Sequence, residues 1–366
     1  MLRGVVQTMR YARGWKAGSD VVVEDTEFDR EGVPIAATLV LPRRRAGRLP
    51  GWIALGGVSR MGRAHPQLIR FARALASSGA AVLLPEIPEW RRLLIRPDVA
   101  APTIRGCVEV LGNRPEVRPG KFGLIGFSFG APQVAIAAAR PELADTVAGS
   151  VLFGGYCSLE RTLMCQLTGD HEWEDVEYTL SPDPYGRWVV ASNHLTDVQG
   201  CEDAVDVAAA LHQLAAATSD NRISAWDPRH DRMIRELRSS LPTRRKGLFD
   251  LFATATTDRP PEYENRLEMA RSLAEACRRV APLLDPAPQL AGVNLPTRLI
   301  HGLGDRLIPF TECHRLSEGL PAAVRKGVTV TGLFNHSADR CPQGLSNQVR
   351  EQIAMFSAIR GLINTV

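Results

Sequence analysis

Short runs with strand character recur along this chain, and between most of them lies a stretch with helical spacing. They fall at Gly51–Leu55, Ala80–Leu84, Phe122–Ile125, Thr146–Phe153, Thr297–Ile300 and Gly327–Thr331. Several, such as Gly51-Trp52-Ile53-Ala54-Leu55, are apolar throughout. A strand with one wet face alternates apolar and polar residues, whereas one covered on both faces has no reason to alternate. Helical patterns lie at about Pro66–Ser78, Thr103–Leu111, Ser128–Arg140, Phe310–Leu320 and Leu345–Leu362. The first stops at Gly79, a common residue just past a helix because it takes left-handed backbone without steric cost. Repeats of this kind predict an α/β fold: a doubly wound, mostly parallel sheet with right-handed crossovers and helices on both faces. Ahead of them, Val21–Glu27 alternates and Ile35–Leu41 follows across Arg30-Glu31-Gly32, which predicts an antiparallel strand pair.

The rhythm breaks after Gly154-Gly155. From Cys157 to about Asp285 the pattern turns to long amphipathic helices, for example Cys201–Ala217, Pro228–Ser239 and Glu262–Leu284, and the stretch holds Trp173, Trp188 and Trp226. Strand character then resumes at Thr297. A chain of 366 residues exceeds what one hydrophobic core usually supports. The expected organisation is a core formed by 1–156 and 286–366, with 157–285 inserted as a helical cap.

Charge narrows the function classes. The formal net charge is +4, with basic residues scattered among acids, whereas a nucleic-acid footprint needs clustered positive charge. Arg43-Arg44-Arg45 and Arg244-Arg245-Lys246 sit beside Pro and Gly and are expected to be solvated loops. Seven widely spaced cysteines without a CxxC pair argue against a disulfide framework or structural zinc. The opening MLRGVVQTMRYARGWKAGSD lacks an unbroken apolar segment, and nowhere do about 18 apolar residues run uninterrupted. No stable membrane insertion is expected, and a reduced, cytoplasmic location is.

Chemistry concentrates at three places. Gly126-Phe127-Ser128-Phe129-Gly130 has the form G-x-S-x-G and lies between an apolar strand and a helix-forming run. In a nucleophile elbow the serine occupies a strained strand-to-helix turn, and the glycines avoid collisions with the neighbouring helix and strand. Serine alone is a poor nucleophile, so a base must reach it and a third group must hold that base in the right tautomer. In the order serine, acid, histidine, the candidates are Asp305, past the strand Thr297–Ile300, and His336, past the strand Gly327–Thr331. All three leave the carboxyl edge of the expected sheet, where α/β sites form.

Competing residues have structural readings. His301 is expected to pack beneath the Asp305 turn and His65 to start a helix, while His171, His194, His212, His230 and His314 are structural or exposed. Glu160 is an alternative acid. His171-Glu172-Trp173-Glu174-Asp175 lacks the i, i+4 histidine pair of a zinc helix, so no metal is expected. Cys157 and Cys165 read as buried small hydrophobes.

These segments resemble the α/β-hydrolase superfamily, and His301-Gly302-Leu303-Gly304-Asp305-Arg306-Leu307-Ile308-Pro309 is very similar to its catalytic-acid turn. The resemblance covers the core, about two thirds of the chain. It implies a triad of Ser128, Asp305 and His336, with the insert as a cap at the place where this superfamily usually carries one. It also implies oxyanion donors in the backbone N–H groups of Phe129 and Val58. Here Gly56-Gly57-Val58 departs from the family's usual His-Gly-x, which leaves Gly57 or Ser59 as alternative second donors. The implied activity is hydrolysis of a carboxylic ester in a small-molecule acyl substrate, without a cofactor. Thioester, amide or carbon-carbon bond hydrolysis on the same triad remains an alternative, as does a non-catalytic binding protein of this fold. An NAD(P) oxidoreductase is disfavoured because no G-x-G-x-x-G opens a helix. The oligomeric state, monomer or homodimer, is left open.

Overall fold

Among the described residues, ten strands order the chain: β1 (Val21–Arg30), β2 (Val33–Pro42), β3 (Gly51–Leu55), β4 (Ala81–Pro85), β5 (Phe122–Phe127), β6 (Val147–Phe153), β7 (Asp170–Trp173), β8 (Val176–Thr179), β9 (Thr297–Gly302) and β10 (Arg325–Thr331). The structure, a computed structural model, describes residues 2–44, 47–333 and 345–366. Eight strands form one sheet in the order β1-β2-β4-β3-β5-β6-β9-β10. The β1–β2 and β2–β4 pairings are antiparallel, and the others in this sheet are parallel. The turn between β1 and β2 places Glu31 at φ 55° and Gly32 at φ 85°, as a two-residue hairpin turn of the I′ type requires.

The absence of alternation in the central strands has its expected cause. Every residue of β3 and β4 is buried. Along β3, Ile53 and Leu55 join one apolar cluster with Leu83, Leu124, Leu152 and Leu299, whereas Trp52 and Ala54 join another with Val82, Leu84, Ile125 and Ile300. Successive side chains point to opposite faces of a strand, so each face of the sheet has its own core.

The opening residues, which carried no expected element, form a helix over Leu2–Ala17 that packs on the helices Pro66–Ser77 and Leu345–Ile363.

Between β6 and β9 lie the helices Leu159–Thr168, Tyr185–His194, Val205–Asn221, Asp231–Ser240, Thr243–Phe252 and Tyr263–Val280, and the β7–β8 hairpin, which the helical pattern did not announce. They surround an apolar cluster of their own that includes Trp188, Leu211, Phe249, Phe252 and Leu273. Arg244-Arg245-Lys246 is not a solvated loop but the first turn of the helix Thr243–Phe252. Arg245 is buried there against Asp203 because that helix packs on Val205–Asn221. Among the described residues, no helix is long and apolar enough to cross a membrane.

The two ends of this segment are tied together. Tyr156 Oη donates to the Leu284 carbonyl at 2.9 Å, and the Leu159 amide donates to Asp285 Oδ1 at 3.2 Å. Glu312, fully buried, accepts the amides of Cys157 and Ser158 on Oε2 at 2.9 and 2.7 Å and the Arg161 Nε at 2.9 Å on Oε1. Glu312→Ala would leave two buried amides unpaired, so it is expected to cost about 2 to 4 kcal/mol. Urea unfolding against the parent chain checks this.

Candidate active site

Ser128 follows β5 directly, and its backbone is left-handed, at φ 54°. For a side chain other than glycine this conformation costs on the order of 1–2 kcal/mol, so the surroundings must impose it. They do so from two sides. The Ser128 amide donates to the Phe153 carbonyl at the end of β6 at 2.8 Å, and its carbonyl accepts the Ala131 amide at 3.0 Å. The helix Gly130–Ala138 then leaves so tightly that a Cβ on Gly126 would lie 2.4 Å from the Gly130 carbonyl oxygen. A Cβ on Gly130 would lie 2.4 Å from the Gly56 carbonyl oxygen. Both glycines of the motif are therefore there for close approach. Opposite the serine, a Cβ on Gly57 would sit 3.0 Å from Ser128 Cβ, which brings the loop after β3 against the elbow.

Asp305 lies just past β9, whose parallel alignment with β6 and β10 puts it at the same sheet edge as Ser128. It is 1% exposed. Oδ1 accepts the amides of Leu307 at 2.9 Å and Ile308 at 3.1 Å, so the carboxylate is fixed by its own turn. The Leu303 amide donates to the Thr331 carbonyl at 3.0 Å, joining this turn to the end of β10. His301 packs beneath the turn as expected. Its ring is wholly buried, with Nε2 at 2.9 Å from the Ile308 carbonyl oxygen and 3.5 Å from Asp305 Oδ2. Burial works against a charged ring here, but the neighbouring Asp305 and Cys313 outweigh it and raise its pKa to about 9.

His336 lies outside the described residues. The structure thus brings Ser128 and the Asp305 turn to one edge, and it has the chain leave β10 at that same edge.

Ser128 opens onto a small pocket of about 80 Å³, walled by Val58 and Phe129 beside it and by Ile95, Leu163, Val189 and Leu307 among others. Val58 and Phe129, the expected oxyanion donors, are thus neighbours of the serine. Trp90 steadies Phe129, edge to face at 5.1 Å.

The segment between β6 and β9 holds both loops that flank the serine. Tyr185 Oη donates to the Val58 carbonyl at 3.0 Å, the Arg60 amide donates to Ser219 Oγ at 3.0 Å, and Arg60 Nε pairs with Asp220 at 2.6 Å. On the other side, Gln166 Nε2 donates to the Leu307 carbonyl at 3.0 Å, and Arg306 Nε donates to the Ser181 carbonyl at 2.6 Å. Burial raises the pKa of the Tyr185 phenol, so it is a donor throughout the neutral range. Tyr185, Ser219 and Gln166 were not singled out from the sequence. Each lies in an amphipathic helix with no local mark of chemistry, and only the return of the segment over the sheet edge gives them a role.

The remaining candidates have structural partners. His65 opens the helix Pro66–Ser77. His171 Nδ1 is 3.2 Å from Thr311 Oγ1, His194 pairs with Asp197, and His212 donates to the Arg92 carbonyl. His230 is buried against Trp188, and His314 stacks on Trp173. Glu160 is ion-paired with Arg278. Cys157 and Cys165 are buried, and burial pushes the Cys157 thiol up to about 12, as suits an inert small hydrophobe. Among the described residues, no cluster of three or more His, Cys, Asp or Glu side chains could hold a metal ion.

The chain has the α/β-hydrolase fold: a mostly parallel, eight-stranded mixed sheet with helices on both faces, a strand-turn-helix bearing the serine, and a long, largely helical segment between β6 and β9. It is similar in fold to the acylaminoacyl peptidase of Pyrococcus horikoshii, with a TM-score of 0.50 at 9% identity over 96% of this chain. The match spans 42% of that longer protein. A 2,6-dihydroxy-pseudo-oxynicotine hydrolase matches with a TM-score of 0.47 at 16% identity, over 98% of this chain and 73% of its own. A dienelactone hydrolase of Anabaena variabilis gives 0.44 at 15%, over 93% and 97%. No protein-family model and no curated protein sequence matches the chain.

Proposed function

We propose that this chain is a serine hydrolase that cleaves a carboxylic ester through an acyl-enzyme. In this reading His336 takes the proton of Ser128 as the hydroxyl attacks the ester carbonyl, and Asp305 orients the imidazole and stabilises its charged form. The amides of Phe129 and Val58 hold the developing oxyanion. The alkoxide leaving group takes the proton back from His336 and departs as the alcohol. Water, deprotonated by the same histidine, then attacks the acyl carbonyl, and the Ser128 oxygen leaves with that proton as the acid is released. The segment 157–285 acts as a cap that shapes the pocket and keeps it dry.

The observation that carries the reading is Ser128 itself, a non-glycine residue held at φ 54° on a tight turn and opening onto an apolar pocket. Such strain is retained where the surroundings over-determine it, and a nucleophile presented at a sheet edge is one such use. The test is a fluorophosphonate probe followed by peptide mass analysis. The label is expected on Ser128 alone, and a protein that hydrolyses esters while Ser128 stays unlabelled would overturn the assignment.

Tyr185 gives a subsidiary prediction. Its hydrogen bond to the Val58 carbonyl orients the peptide next to the serine, so Tyr185→Phe is expected to lower kcat about tenfold with little change in melting temperature. Steady-state kinetics on a nitrophenyl ester, with a thermal melt alongside, checks it.

A further inference from the structure

Among the described residues lining the pocket at Ser128, one side chain presents a polar atom that neither the fold nor the proposed triad uses. Gln166, on the helix Leu159–Thr168, lines the pocket and is 4% exposed. Its Nε2 donates to the Leu307 carbonyl at 3.0 Å. A carbonyl oxygen only accepts, so that bond fixes which end of the side-chain amide is nitrogen. The other end, Oε1, is buried and accepts no hydrogen bond from the described residues.

Apart from Ser128, the pocket's other polar side chains among the described residues are already engaged, Tyr156 with the Leu284 carbonyl. The Thr162 hydroxyl donates to the Ser158 carbonyl at 2.8 Å, and Tyr185 Oη donates to Val58. Ile95, Leu163, Val189 and Leu284 make the surroundings apolar. A buried acceptor in such surroundings is unfavourable unless something donates to it, so its retention at a reaction pocket points to a ligand. The space beside the serine is limited, about 80 Å³, which suits a short group.

We propose that Gln166 is a specificity-determining residue. Its Oε1 accepts a hydrogen bond from a hydroxyl or N–H on the part of the substrate that fills the pocket. The preferred substrates are then compact, largely apolar esters bearing one such donor. This rests on the serine-hydrolase reading and deepens it. An analogue without the donor leaves Oε1 unpaired in the complex as well, which is how a polar group in a dry site discriminates more sharply than an added methylene does.

The experiment measures kcat/KM by proton release on matched ester pairs. Methyl 3-hydroxybutyrate against methyl butyrate places a hydroxyl on the acyl side, and 2-hydroxyethyl acetate against propyl acetate places it on the alcohol side. Methyl N-acetylglycinate against methyl 4-oxopentanoate exchanges an N–H for a methylene. The donor-bearing member of at least one pair is expected to be preferred about tenfold or more, and the responding pair identifies the donor and its side. In Gln166→Met the ratio is expected to fall towards one, with the donor-free ester still hydrolysed and Ser128 still labelled by the fluorophosphonate. Losing the bond to Leu307 should affect both members of a pair alike, so the ratio isolates Oε1. Hydrolysis with no preference in any pair, or a preference that survives in Gln166→Met, would overturn the inference and leave the hydrolase reading standing. Failure of the parent chain to hydrolyse any of these esters would overturn both.

Discussion

In Ser128→Ala, turnover of any ester the parent chain hydrolyses is expected to fall by on the order of 10⁴-fold or more, with circular dichroism and melting temperature unchanged. The kinetic size follows from the role. Without the hydroxyl there is no acyl-enzyme, and what remains is the contribution of binding and of the backbone donors. The unchanged fold follows from the geometry: the Ser128 amide and carbonyl make the structural hydrogen bonds, and alanine keeps both. Alanine also inherits the left-handed backbone at φ 54°. Ser128→Gly should be just as inactive yet more stable than Ser128→Ala by about 1 kcal/mol, because glycine adopts that conformation without a steric cost. A difference of that sign in urea midpoints, with activity absent from both, would separate strain from chemistry at one position.

Asp305→Asn is expected to lower kcat by up to about 10⁴-fold while the protein still folds. One carboxylate oxygen accepts the amides of Leu307 and Ile308, and an asparagine oxygen serves those bonds equally well. What the amide cannot do is accept a second proton donor through its nitrogen, so a histidine held by this group would take the wrong tautomer. Asp305→Ala is the contrasting variant. It leaves both amides unpaired, that of Ile308 buried, so a stability loss of about 1 to 3 kcal/mol accompanies the loss of activity. If Asp305→Asn kept full activity, the acid would have to come from elsewhere, with Glu160 on the helix after β6 the alternative to try.

Legibility along the chain followed a physical rule. The central strands were plain because burial on both faces leaves an unbroken apolar run, and β3 begins and ends where its sequence does. The helix Leu2–Ala17 was hidden although its buried positions keep helical spacing, because Gly4, Thr8 and Gly14 occupy much of that face with Tyr11. A Cβ on Gly14 would sit 2.3 Å from Ser77 Oγ, so the face is small because another helix presses on it. Within the insert, β7 and β8 are four residues each and mostly exposed, too short and too polar to register as a period. The left-handed Glu174 and Asp175 that join them carry no glycine to mark the turn.

The sequence by itself determined the class of sheet and the two glycines without which the turn at Ser128 could not close. These are local matters: an apolar run, a residue too large for its gap, a stop signal. Only the tertiary structure decided which side chains of the segment between β6 and β9 line the serine's pocket. Tyr185 reaches Val58 across 127 positions and Gln166 reaches Leu307 across 141. Contacts at that separation depend on how two apolar clusters pack on one another, and a helix carries the same periodic pattern whichever of its residues ends up over the site.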